Sequence, residues 1–152
     1  MDDMRNAASD LSRARTPVQL SAIVVSGLFL LVGVLGFIPG ITTNYGAMAF
    51  AGNESGAELL GIFQVSILHN IVHLLFGIVG LLMARVAAQA RLFLIGAGAL
   101  YLVLWLYGLL VSADSAANFV PFNVADDWLH FVLGAGMIAL GVLTTRRGTA
   151  TT

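Results

Sequence analysis

Four apolar stretches dominate this chain, and they constrain its fold more than any other feature. They cover about residues 18–38, 59–84, 92–112 and 126–145, each close to or above the ~20 residues that a helix needs to cross a bilayer core. Hydrophobic residues make up 59% of the sequence and charged residues only 10%, which excludes a soluble or disordered chain. The prediction is an all-α integral membrane four-helix bundle with up-down-up-down connections.

The polar segments define the predicted domain organisation and the topology. Residues 1–17 form an N-terminal tail, 18–145 the four-transmembrane-helix domain and 146–152 a C-terminal tail. All seven arginines lie in the tails or in the turn 85–91, or close the fourth span, and none lies in the two loops between the other spans. This positive-inside pattern predicts a multi-pass protein of the cell inner (plasma) membrane with both termini cytoplasmic.

Missing residue types narrow the chemistry. The chain has no cysteine, which excludes disulfides and Cys-ligated zinc or iron–sulfur sites. It also has no lysine, which excludes Schiff-base catalysis. Seven scattered arginines form no basic patch for nucleic acid. The expected partners are therefore the lipid bilayer and either another membrane protein or further copies of this chain.

The histidines share a depth in the predicted bundle. His69 lies sixteen residues before Arg85, and His130 lies sixteen residues before Arg146. At 1.5 Å per residue, both fall about 24 Å from the inner boundary and roughly 6 Å below the outer boundary of a ~30 Å core. His73 lies one turn deeper on the same face as His69. Polar groups at this depth are costly and count as candidates for function.

Small and polar residues recur at helical spacing and predict which helix faces pack together. The first span offers Ser26, Gly33 and Gly36. The second and fourth spans carry the stripes Ser66, His69 or Asn70, His73, Gly77, Gly80, Ala84 and Asp127, His130, Gly134, Met137, Gly141, Thr145. If both stripes point inward, His69 and His130 approach each other across the bundle axis. Asp126 or Asp127 is the expected N-cap of the fourth helix.

Three interpretations of the polar residues remain open. The first is interior packing alone, because polar side chains hydrogen-bond across membrane helices for about 0.6 kcal/mol each. The second is ligation of a divalent metal or haem, because two imidazoles four residues apart share one helix face. The third is an outward-opening pocket for a quinone or a lipid head group. The ligand or metal candidates are His69, His73, His130, Asn70, Asp126 and Asp127, and the pocket candidates are Gln64, Tyr101, Trp105 and Tyr107.

Several segments together resemble a known family. They are GFIPG at 36–40, LGIFQVS at 60–66, LHNIVHLLFG at 68–77, YLVLW at 101–105 and NVADDWLH at 123–130. This combination resembles the bacterial four-helix membrane family known as domain of unknown function 4383, over about residues 17–145. The resemblance implies a four-span membrane protein and transfers no activity, cofactor or catalytic residue.

The predicted function follows from these limits. Four helices in 152 residues leave no room for a soluble catalytic domain. We expect a small, non-enzymatic integral membrane protein that acts as an accessory or interaction subunit, with an interior His/Asn cluster. The alternative is a haem- or metal-binding redox or transport protein ligated by His69, His73 and His130.

Overall fold

The structure, a computed structural model, describes residues 15–112, 115, 117–120 and 123–146. Within these ranges lie four helices, and the predicted all-α four-helix bundle is confirmed. They are α1 Pro17–Leu35, α2 Ile67–Met83, α3 Ala87–Leu110 and α4 Val124–Arg146. Most of the two predicted tails and part of the predicted loop 113–125 lie outside the described residues.

The helices are apolar enough to lie in a membrane. Helices α1 and α3, and α4 as far as Thr144, are each long enough to cross it. Helix α2 is equally apolar but has only 17 residues, or about 25 Å at 1.5 Å per residue. The protein is therefore membrane-embedded, while its orientation in the membrane stays a prediction.

The predicted second span 59–84 needs a correction, because its first part is not helical. Leu59, Phe63 and Gln64 belong instead to a small antiparallel sheet in the order β1-β2-β3, and residues 60–62 form the turn between its last two strands. Its strands are β1 Thr42–Thr43, β2 Glu58–Leu59 and β3 Phe63–Gln64, and a short 3-10 helix, Tyr45–Ala47, follows β1. Leu60 and Gly61 both adopt positive φ, 57° and 69°, and a helix cannot continue through such a turn. We call residues 36–66 the cap.

The helix ends also differ from the predicted boundaries, for reasons of capping. Helix α2 begins where the Ser66 side chain accepts a hydrogen bond from the His69 backbone N–H. Helix α4 begins earlier than predicted, and its N-cap is neither Asp126 nor Asp127. The Asn123 side chain accepts from the Asp126 N–H at 3.0 Å, and the Asp126 carboxylate accepts from the Asn123 N–H at 3.2 Å. This reciprocal pair is a capping box, with Asn123 at the N-cap position.

The start of α1 is joined to the end of α2. Thr16 and Gln19 form a second capping box, and the Gln19 Nε2 also donates to the carbonyl oxygens of Ala84 and Arg85 at 3.0 Å each. Only three residues, Ala84–Val86, separate α2 from α3, so the predicted turn 85–91 is shorter than expected. We call this the turn end of the bundle and the opposite end the cap end.

Glycines bring the helices together in two pairs. In the α1–α2 pair, a Cβ atom on Gly80 would lie 2.1 Å from the Ser26 Oγ, and one on Gly33 would lie 2.9 Å from the Asn70 carbonyl oxygen. In the α3–α4 pair, a Cβ on Gly98 would lie 2.7 Å from the Gly134 carbonyl oxygen. No side chain fits at such separations, so these glycines are what permits the helices to approach. The predicted small-residue faces therefore do face neighbouring helices.

Candidate functional site: a polar partition between two cavities

The two helix pairs leave two cavities between them near the cap end. The first, about 220 Å³, lies between α2 and α3 and reaches Phe119 and Val120 of the following loop. The second, about 330 Å³, lies between α1 and α4 beneath the cap strands β2 and β3. The side chains around both are mostly leucine, valine and phenylalanine.

Four side chains line both cavities and separate them, and we call them the polar partition. They are His69, His73, Tyr101 and His130. The ring centroids of His69 and His73 are 4.4 Å apart, and those of Tyr101 and His130 are 4.7 Å apart. His69 and His130 thus lie along the same two cavities, and their common depth in the membrane stays a prediction.

The fold holds the partition from three helices. His69 and His73 are one turn apart on α2, with His69 positioned by the Ser66 cap. Tyr101 is buried on α3. His130 is buried on α4, with its Nδ1 2.6 Å from the Asp126 carbonyl oxygen. Since a carbonyl oxygen only accepts, that nitrogen carries the proton and Nε2 is the acceptor in the neutral ring.

Two atoms of the partition lack hydrogen bonds. The Nδ1 atoms of His69 and His73 are buried, and neither has a partner among the described residues. An unsatisfied buried polar atom costs about 1–3 kcal/mol. A ligand that offered a hydroxyl or carbonyl group to these imidazoles would recover that energy.

The rims of both cavities consist of exposed apolar side chains. Val72 and Leu100 lie at the first cavity, and Leu31 and Leu129 lie at the second; all four are exposed on the outside of the bundle. In a membrane-embedded bundle such surfaces meet lipid. The cavities are therefore accessible from the side that lipid-soluble molecules occupy.

The metal candidates are not arranged as a metal site. Within residues 15–112, 115, 117–120 and 123–146, no group of three His, Asp or Glu side chains could hold a metal ion. Asp126 lines the second cavity, but its Oδ2 accepts from the backbone N–H groups of Gln64 and Asn123 at 3.0 and 3.2 Å. Asp127 is buried against Gly108 on α3. The two carboxylates thus serve the start of α4 and its packing.

The remaining candidates lie apart from the two cavities. Asn70 is fully buried beside Gly36 in the α1–α2 pair, and its Nδ2 lies 3.9 Å from the Met48 sulfur. The pocket candidates Gln64, Trp105 and Tyr107 line neither cavity. They belong to other contacts: the Gln64 side chain donates to the Ser55 and Asn53 carbonyls, Trp105 packs on Trp128 and Phe131, and the Tyr107 hydroxyl donates to the Ala117 carbonyl.

Sequence reasoning missed Phe29, which packs against the partition from α1. Its ring centroid is 5.5 Å from those of both His73 and Tyr101, and its side chain is buried. The signal was present, because Phe29 lies three residues after Ser26 and four before Gly33. That spacing puts it on the same helix face as the two small residues.

Comparison with known proteins gives a family. The model described as Domain of unknown function (DUF4383) matches residues 19–143, so the chain belongs to that family and the resemblance stated above is confirmed. The comparisons with curated proteins and with solved structures found no match.

Proposed function

We propose that this member of the domain of unknown function 4383 family is a small non-enzymatic protein of the plasma membrane that binds a lipid-soluble amphiphile. The supporting observation is that one set of hydrogen-bonding side chains, His69, His73, Tyr101 and His130, lines two cavities whose other walls are mostly apolar. A molecule with one polar group and an apolar body matches this arrangement. Its polar group would contact the partition, and its body would occupy a cavity.

The cavity volumes indicate the size of the ligand. A dry engineered cavity of ~150 Å³ binds benzene. Cavities of about 220 and 330 Å³ therefore accept a substituted ring or a short branched chain. Neutral imidazole and phenol groups can donate or accept hydrogen bonds, which fits a carbonyl or hydroxyl group. A quinone ring or the uncharged part of a lipid head group has this chemistry.

The route to the site supports the same class of ligand. The rim residues of both cavities are exposed and apolar, with Leu31 52% exposed at the second. A water-soluble ligand would have to cross this surface, whereas a molecule dissolved in lipid already contacts it. Binding by hydrogen bonds and apolar packing needs no covalent step, so the proposal stops at binding.

A titration of the purified protein with decylubiquinone tests the proposal. Quinones quench tryptophan fluorescence, and Trp105 and Trp128 lie on the helices that carry Tyr101 and His130. We expect saturable quenching in detergent. The double variant His69→Leu/His73→Leu should bind about 5- to 140-fold more weakly, since each of the two hydrogen bonds contributes about 0.5–1.5 kcal/mol.

The matched control is Ile71→Leu, which alters an exposed residue of the same helix that lines neither cavity. Equal affinity of the double variant and the control would contradict the proposal. A visible spectrum and a metal analysis of the same sample address the haem or metal alternative. If haem or metal is bound to the native protein and absent from the double variant, His69 and His73 are ligands of that group, and the amphiphile proposal is wrong.

The proposal includes the predicted topology, with both termini cytoplasmic, and the arginine distribution supports it. The native chain has no cysteine, so single cysteines report their side of the membrane without background. Glu54→Cys should react with an impermeant maleimide added outside intact cells, and Arg85→Cys only after the cells are opened. The reverse pattern would contradict the topology.

The accessory role stays a prediction, and it has its own test. Crosslinking in native membranes, followed by mass spectrometry, should recover one stable membrane partner or a defined oligomer of this chain. Recovery of monomer alone would contradict an interaction role and leave the ligand proposal untouched.

A further inference from the structure

A third cavity extends toward the turn end of the bundle; it shares Phe76 with the first cavity but no residue of the polar partition lines it. It has a volume of about 320 Å³ and runs between α2 and α3, and we call it the α2–α3 groove. Its walls are all apolar: Leu75, Phe76, Val79, Met83, Leu92, Phe93, Gly96 and Ala97. From Leu75 to Met83 it extends about 12 Å along α2, at 1.5 Å per residue.

Gly96 shows that this groove is open space rather than a close helix contact. A Cβ atom built on Gly96 would meet nothing within 4 Å. On the same helix, Gly98 is blocked by the Gly134 carbonyl oxygen at 2.7 Å. The groove side of α3 thus has room for an apolar chain where the opposite side has none.

The turn at the end of the groove is basic. Arg85 comes two residues after the groove residue Met83, and Arg91 comes directly before the groove residue Leu92. Both arginines are exposed. Arg15 is near the same end, since Gln19 of α1 is hydrogen-bonded to the Ala84 and Arg85 carbonyls.

No carboxylate of the described part of the chain lies at the turn end. The acidic residues in the described part of the chain are Glu54 and Glu58 in the cap, and Asp126 and Asp127 at the start of α4. Gln64 in the cap is hydrogen-bonded to Asp126, so all four belong to the cap end. The positive charge of Arg85 and Arg91 is therefore not compensated by these carboxylates.

We propose that the α2–α3 groove and its two arginines bind one anionic phospholipid. An acyl chain would lie in the groove, and the phosphate would lie between Arg85 and Arg91. Guanidinium groups bind phosphate through paired hydrogen bonds, and basic sites beside membrane helices select anionic head groups. Charge complementarity and the adjacent apolar groove together identify the occupant as a lipid. This site is independent of the ligand proposed for the two cavities.

Native mass spectrometry of the full-length chain tests this proposal with two lipids of equal chain length. Dioleoyl phosphatidylglycerol carries a negative head group, and dioleoyl phosphatidylcholine is zwitterionic. We expect one tightly retained phosphatidylglycerol per chain and markedly less phosphatidylcholine. Arg85→Gln and Arg91→Gln should each reduce phosphatidylglycerol retention about fivefold, whereas the control Arg15→Gln should reduce it less.

The apolar half of the site has its own matched pair of variants. Gly96→Leu fills the groove, and Gly136→Leu places the same side chain on α4, where a Cβ likewise meets nothing within 4 Å. We expect Gly96→Leu to lose lipid and Gly136→Leu to retain it. Circular dichroism of each variant checks that the helices persist, and the arginine variants test the head-group half of the site without altering the walls of the groove.

Three results would overturn the proposal. Equal retention of the two lipids would exclude head-group recognition. An equal effect of Arg15→Gln and the two turn variants would indicate general surface charge. Equal lipid retention by the two leucine variants would show that no chain occupies the groove.

Discussion

The contacts within the helix pairs and the space between the pairs follow opposite rules. Within each pair, glycines allow approach so close that a Cβ on Gly80 or Gly98 would lie under 3 Å from the facing helix. Between the pairs, near the cap end, the rings of His69, His73 and Tyr101 line cavities of about 220 and 330 Å³. The two kinds of interface lie within one small bundle.

This difference indicates which contacts stabilise the fold and which part of the bundle can bind a ligand. In lipid, apolar surfaces gain little from leaving the solvent, so helices associate through close packing. The glycine-lined pairs satisfy that requirement. Near the cap end, the space between the pairs is incompletely packed, and it contains the buried Nδ1 atoms of His69 and His73 without hydrogen-bond partners. Farther from the cap, Ala22 of α1 and Phe93 of α3 belong to one packed apolar core. The pairs and this core therefore stabilise the fold, and the cavities near the cap end are free to hold a ligand.

The largest effect is expected from a variant that disrupts the close contact between α3 and α4. Gly98→Ala puts a Cβ 2.7 Å from the Gly134 carbonyl and 2.8 Å from Ile138. Because backbone must move, we expect a loss of about 1–3 kcal/mol in unfolding free energy. Gly96→Ala on the same helix meets open space and should be neutral or slightly stabilising. SDS-induced unfolding in mixed micelles measures both, and equal losses would refute the distinction.

A second prediction breaks the connection across the two pairs at the cap end. Asp126 of α4 accepts the Gln64 N–H of the cap at 3.0 Å. Asp126→Ala leaves this donor and the Asn123 N–H unsatisfied, and should cost about 1–3 kcal/mol. Asp126→Asn keeps an acceptor oxygen and should cost less. Thermal unfolding in detergent ranks the variants; an alanine variant as stable as the native chain would show that the cap needs no such link.

A third prediction compares leucine in the two environments. His73→Leu removes an unsatisfied buried nitrogen from the partition, so stability should change by less than about 1 kcal/mol or increase. Asn70→Leu replaces a fully buried side chain that fills the space beside Gly36. Overpacking there should cost about 1–3 kcal/mol. Thermal unfolding in detergent measures both variants. A larger loss of stability for His73→Leu than for Asn70→Leu would contradict the prediction.

The smallest expected effect concerns the hairpin at the mouth of the second cavity. Leu60 adopts φ 57° and is 61% exposed, a backbone conformation that is costly for leucine. Leu60→Gly relieves that strain and loses little buried surface. It also raises the conformational entropy of the unfolded chain, which offsets part of the gain. We expect a gain of no more than ~1 kcal/mol in unfolding free energy by chemical denaturation. A loss above that size would show that the leucine side chain itself supports the cap.

The sequence predicted the helices well because their signals are local. Apolar runs of membrane length and small residues at helical spacing suffice to place four helices and the faces by which they pair. The boundaries were less predictable, since caps depend on single hydrogen bonds. Asn123 is the N-cap of α4, and Asp126 is its partner in the capping box. The acidic residues alone suggest that the N-cap lies at Asp126 or Asp127, which is wrong.

The cap was not predictable from the apolar pattern. Residues 59–66 resemble the start of a membrane helix because they are hydrophobic. In the structure Leu59 pairs with the distant Thr42, and Phe63 pairs back with Leu59 across a tight turn. Strands of two residues are too short to show a periodicity in the sequence. The sheet also forms a wall of the second cavity that is not helical, through Leu59 and Phe63.

Sequence alone predicted four apolar helices of membrane length and the glycines at their contacts. It also predicted that two histidines share a depth in the membrane, and that depth stays a prediction. Hydrophobic length and helical spacing are properties of neighbouring residues, so no tertiary information was needed. The tertiary structure decided that Tyr101 and Phe29 join the histidines, that Trp105, Tyr107 and Gln64 do not line the two cavities, and that apolar cavities flank the partition. Those facts depend on how far apart two helix pairs settle, which is set by the packing of all four helices together.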